Sequence, residues 1–94
     1  MVRSAYEAAK RIEKRDADLA RQLRRSSSSV PLNIAEGSHS HKGNRLARYS
    51  TAMGSANEAR SALQVATAVG LLAADQKLED RLDKIVATLW RLTH

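Results

Sequence analysis

Apolar residues recur at helical spacing in four blocks along the chain. In the first, Val2, Ala5, Ala9 and Ile12 lie 3, 4 and 3 residues apart and predict a helix over about 2–14. Two of the four are alanines, so this stripe is thin and the helix depends on its neighbours for stability. Leu19, Leu23, Ser26 or Ser27, Val30, Ile34 and Gly37 trace a second stripe, over about 17–37. Leu46, Tyr49, Met53, Ala56, Arg60 and Leu63 trace a third, over about 44–69. Beside it runs a stripe of mostly small residues: Ala52, Ala56, Ala59, Leu63, Ala66 and Gly70. In the fourth block Leu78, Leu82, Ile85, Leu89 and Leu92 step by 4, 3, 4 and 3, a heptad-like seam over about 75–93 that Val86 and Trp90 widen. Four such helices joined by short connections predict an all-α, antiparallel, up-down-up-down four-helix bundle, with 1–94 as one domain.

The ends of the blocks carry their own signals. Asp16, Asn44 and Asp75 are N-cap candidates, and Gly37 and Gly70 are candidates for left-handed C-caps. No glycine or proline separates the first two blocks, so one continuous helix is the alternative there. Four serines at 26–29 would suit a linker, but the stripe stays in phase from Leu23 to Ile34. The serines are therefore read as small residues inside a helix that let a neighbour come close.

The segment Val30-Pro-Leu-Asn-Ile-Ala-Glu-Gly37 places a proline, an asparagine and a glutamate inside that helix. Pro31 removes the hydrogen bond to the Ser27 carbonyl, which a nearby serine hydroxyl is expected to satisfy. A buried polar side chain without a partner costs about 1–3 kcal/mol. The segment Gly54-Ser-Ala-Asn-Glu58 offers partners. The expectation is a structural polar cluster of Asn33, Glu36, Asn57 and Glu58 between two closely packed helices, paired with one another or with Arg24, Arg25 or Tyr49. Gly54 costs up to about 1 kcal/mol in a helix relative to alanine, and close contact with another helix would explain it.

Charge changes the picture more than composition does. The net charge is +6, and residues 1–48 hold eleven Lys or Arg against five acids, whereas residues 49–94 hold five of each. This asymmetry predicts a basic face, with Arg24, Arg25, Lys42, Arg45 and Arg48 as candidate phosphate contacts; a solvated helix surface is the plain alternative. The only aromatics are Tyr6, Tyr49 and Trp90, and no aromatic series interleaves these bases, so base stacking is not indicated. There is no cysteine, and His39 and His41 lack a third ligand, so no metal and no cofactor are expected. Without a membrane-length apolar run or a secretory leader, a cytoplasmic protein is expected. A nucleophile with an adjacent base, a phosphate-binding glycine loop and HExxH are all missing. Glu36 and Glu58 resemble a general acid–base pair only loosely, and a structural role suits them better.

Leu23-Arg-Arg, Val30-Pro-Leu-Asn-Ile-Ala-Glu-Gly, Arg45-Leu, Gly54-Ser-Ala-Asn-Glu and Leu63-Gln-x-Ala together resemble a bacterial four-helix-bundle family. It includes the 23S rRNA intervening-sequence proteins and the accessory subunit of diversity-generating retroelements. The likeness is good from about Leu19 to Gly70 and looser over the last helix. It implies a homopentamer with basic surfaces, nucleic-acid binding and no enzymatic activity. Surplus apolar faces on the third and fourth helices also favour self-association. Two functions remain open: a nucleic-acid-binding module that holds RNA or DNA by its phosphates, and a protein-interaction scaffold whose basic face meets an acidic partner such as a reverse transcriptase.

Overall fold

The computed structural model describes residues 1–94 as four helices and no strand: α1 Val2–Glu13, α2 Ala17–Ser38, α3 Lys42–Ala68 and α4 Gln76–Thr93. Asp16 decides the first boundary, because its carboxylate accepts the Leu19 backbone N–H at 2.9 Å and starts α2 as a separate helix. Asp75 does the same for α4, accepting from Leu78 at 3.1 Å. Gly70 closes α3 with φ +80°, the only positive φ in the chain. The Leu71 N–H then reaches the Ala66 carbonyl at 2.8 Å, and the Gly70 N–H reaches Thr67 at 3.2 Å. Those two bonds make a Schellman ending, which a residue with a β-carbon would strain.

Side-chain bonds fix how neighbouring helices pair. Tyr6 bonds Ser28 and Glu13 pairs with Arg24 across α1 and α2. Ser29 bonds Ser55 and Glu36 pairs with Arg48 across α2 and α3. Arg60 pairs with Asp83 and Gln64 bonds Glu79 across α3 and α4. In every case residue numbers rise along one helix as they fall along the next.

All four helices feed one core, in which Ile12, Leu23, Val30, Leu78 and Leu82 are the large buried side chains and alanines fill most of the rest. The serine run is helical and packs inward: Ser27 is fully buried, and Ser26 nearly so. Their hydroxyls donate back to carbonyls of the preceding turn, Ser26 to Gln22 at 2.8 Å and Ser27 to Arg24 at 3.2 Å. Burial therefore leaves neither hydroxyl unpaired.

Several expectations are corrected. Gly37 lies inside α2, which runs one residue further, and it is not a left-handed cap; it is buried where Tyr49 of α3 crosses. Asn44 is not the cap of α3, which begins at Lys42 after His41. No side chain bonds the Ser27 carbonyl, because the nearby hydroxyls are committed elsewhere. Gly54 touches no other helix: a β-carbon there would find no atom within 4 Å. Of the two stripes on α3, the small-residue one is buried from Ala52 to Ala66, with Gly70 exposed beyond the helix, while Leu46 at the head of the other is exposed. Small residues win this face because they let the axes of α2 and α3 come close. On α4, Leu92 turns outward, and Trp90 is exposed and stacks on His94 with ring centres 4.2 Å apart.

The molecule is elongated, 42 × 20 × 17 Å. α1 has only 12 residues and bonds α2 no further along than Ser28. The turn at His39 lies about 16 Å beyond that point at 1.5 Å per residue. The α2–α3 hairpin thus ends in a projecting tip, where every residue of 38–48 except the half-buried Ser40 is exposed. No helix is long and apolar enough to cross a membrane.

Candidate nucleic-acid interface

The basic side chains fall into two groups, set by the hairpin. At the tip, the three-residue turn His39-Ser-His41 brings Lys42 and Arg45 into the first turn of α3. That helix start has no side-chain cap and no acid, so both cations add to the positive end of the helix dipole. Arg45 reaches only the Ser40 carbonyl, at 3.4 Å, and Lys42 bonds nothing in the chain. Arg48 is partly neutralised: its guanidinium lies 3.5 Å from a Glu36 oxygen and 3.4 Å from Asn33 Oδ1.

The second group lies on α1 and the first half of α2. Arg24 is largely covered and pairs with Glu13 at 2.9 Å, and Arg21 pairs with Asp18. Arg25 is exposed and forms no hydrogen bond or ion pair. It stands fourteen residues before His39, so about 21 Å of helix separates it from the turn at the tip. The five candidate contacts are not gathered into one patch. Three of them (Arg25, Lys42 and Arg45) have no acidic partner, while Arg24 and Arg48 each have one.

Sequence reasoning passed over the bases of α1. Lys10, Arg11 and Lys14 line one shallow groove with Glu7, and Arg3 and Lys10 share another with Tyr6 and Arg24. The i, i+1, i+4 spacing of Lys10, Arg11 and Lys14 was the available signal, since those positions share one side of a helix. Of the eleven bases in residues 1–48, only Arg21, Arg24 and Arg48 have an acidic partner, and the other eight are all exposed.

The polar cluster differs from the expectation of a buried, mutually paired quartet. Asn33 and Glu36 belong to a chain of contacts running Ser55, Ser29, Asn33, Arg48, Glu36. Ser55 and Ser29 hydroxyls meet at 2.8 Å, and the Asn33 amide donates to both the carbonyl and the hydroxyl of Ser29 at 2.9 Å. Glu36 is exposed, with 62% of its side-chain surface open to solvent. Asn57 and Glu58 join none of this and face an open groove of about 780 Å³ between α2 and α3, lined also by Arg25, Ser26 and Val65. The physical reason is register: Arg48 arrives opposite Glu36 from the next helix, while Asn57 and Glu58 sit two to three turns further along α3.

Glu36 and Glu58 are both exposed and no bond links them. Nowhere do three or more His, Cys, Asp or Glu side chains gather as a metal group, and His39 and His41 stay on the tip. Fold and charge together define a small basic helical bundle. The profile of the family described as 23S rRNA-intervening sequence protein matches residues 1–91, and the chain belongs to that family. Comparison with curated proteins and with solved structures returned no match.

Proposed function

We propose that this protein is a non-enzymatic, nucleic-acid-binding bundle that holds RNA or DNA by phosphate contacts on the basic face of residues 1–48. Its four helices run antiparallel, up-down-up-down, and the chains assemble as a homopentamer in the cytoplasm. The observation that carries the binding claim is the set of eight exposed bases without an acidic partner, which a polyanion would neutralise. Arg25, Lys42 and Arg45 make the main contacts, and Arg24 and Arg48 contribute as their acids are displaced. Membership of a family named for a ribosomal RNA intervening sequence supports an RNA-related role. Assembly is supported by the exposed Val65 on α3, Val69 just after it, and Trp90 and Leu92 on α4, apolar surface that contacts between copies would cover.

Titration of unrelated RNA and DNA sequences over a range of salt tests the binding claim. The slope of log affinity against log salt should be about −0.9 per neutralised phosphate on duplex and −0.7 on single strands. Replacing Arg25, Lys42 and Arg45 with alanine should weaken all sequences alike and flatten the slope by about one unit per contacting residue. Arg81 and Arg91, exposed on the charge-balanced half, are the controls. Unchanged affinity and slope in a folded triple variant would move the reading to a scaffold that meets an acidic protein. Sedimentation equilibrium should give about 50 kDa, five times the 10.3 kDa chain, and a single monomeric species would defeat the assembly claim.

A further inference from the structure

We propose that the α1–α2 face is a seat for unpaired nucleotides, with the Tyr6 ring as its stacking platform; this rests on the nucleic-acid reading above. Tyr6 lies twenty-two residues from Ser28 in sequence, yet its hydroxyl meets the Ser28 hydroxyl at 2.8 Å. That bond holds the phenol in place, and 42% of the residue remains exposed. The ring stands between two grooves of about 400 Å³ and borders both. Arg24, paired with Glu13, also borders both; Arg3 and Lys10 line the first beside the carboxylates of Glu7 and Glu13, and Arg25 and the Asp18-paired Arg21 line the second. Leu32, 64% exposed on the rim of the second groove, adds an apolar surface among the cations.

Each part suits single-stranded rather than duplex nucleic acid. Cations alone serve a duplex backbone, whose base faces are already stacked. A single strand offers open base faces, and an anchored aromatic ring flanked by cations is the arrangement that takes them, with little dependence on sequence. An ordered ring also loses less entropy on binding than a mobile one. Phosphates on either side of the stacked base would lie against Lys10 and Arg3 in one groove and Arg25 in the other. Sequence pattern alone showed no such aromatic, because Tyr6 and Arg25 belong to different helices.

The test is fluorescence anisotropy with a labelled mixed-sequence RNA of about twenty nucleotides, its DNA counterpart, and the duplex of the same sequence. Tyr6→Leu keeps apolar bulk but removes the ring, and Tyr6→Phe keeps the ring. Tyr6→Leu should weaken single-strand binding roughly five- to a hundredfold and leave duplex binding within about twofold. Tyr6→Phe should stay close to the parent, and circular dichroism checks that both variants are folded. The RNA and DNA arms show whether the ribose 2′-hydroxyl is read as well. If Tyr6→Leu changes neither ligand, or weakens both equally, while Arg25→Ala still weakens both, the stacking platform is overturned and the basic-face reading stands. If the parent protein binds no nucleic acid at all, both fall.

Discussion

Gly37 of α2 lies directly under the ring of Tyr49 on α3: a β-carbon on Gly37 would come within 2.7 Å of Tyr49 Cε1 and 3.1 Å of Arg48 Cβ. The glycine is there for space, not for a turn. Its neighbour on the crossing helix needs the room, and Arg48, the residue before Tyr49 on α3, is thereby set opposite Glu36 and Asn33.

Gly37→Ala should therefore cost about 1–3 kcal/mol in denaturant melts, the usual effect of overfilling a packed contact. Gly54→Ala should have the opposite sign. Nothing within 4 Å obstructs a methyl group there, so helix propensity alone acts and stability should rise by up to about 1 kcal/mol. Loss of stability together with dissociation in the ultracentrifuge would instead place Gly54 at a contact between subunits.

Glu36→Ala should cost less than about 1 kcal/mol, because its pair with Arg48 is largely exposed and screened. The same change releases Arg48 for phosphate. Nucleic-acid affinity should rise, and its salt slope should steepen by about one unit. A loss of several kcal/mol in thermal melts would mean that Glu36 is buried in the assembled protein.

Asp16→Ala and Asp75→Ala should each destabilise by about 1 kcal/mol, since each carboxylate satisfies an otherwise unpaired N–H at a helix start. Asn44→Ala, at the third position of α3 and exposed, should stay within about 0.5 kcal/mol. Comparable losses at all three sites would put the start of α3 at Asn44.

Ser55→Ala should cost about 1 kcal/mol by breaking the hydroxyl contact with Ser29 that bridges α2 and α3. Asn57→Ala, with no partner in the chain, should cost less. Urea midpoints at constant m-value separate the two.

The sequence by itself determined the helices and most of their ends. Asp16, Asp75 and Gly70 act on groups within five residues of themselves, and the stripes of α1, α2 and α4 repeat at short range. Such interactions are local, so spacing reveals them. Tertiary structure alone decided which stripe of α3 turned inward, because Leu46 and Ala52 both lie at helical spacing and only the approach of α2 and α4 favours the smaller side chains. It also decided which cations stayed free. Arg24 is paired and Arg25 is not because Glu13 of α1 lies within reach of the first, while the second has no acid within 4 Å. A rotation of 100° per residue separates those two fates, and which side meets an acid depends on a helix that lies elsewhere in the chain. The same applies to Tyr6 beside Arg25 and Asn33 beside Arg48: helix register joins residues that sequence spacing keeps apart.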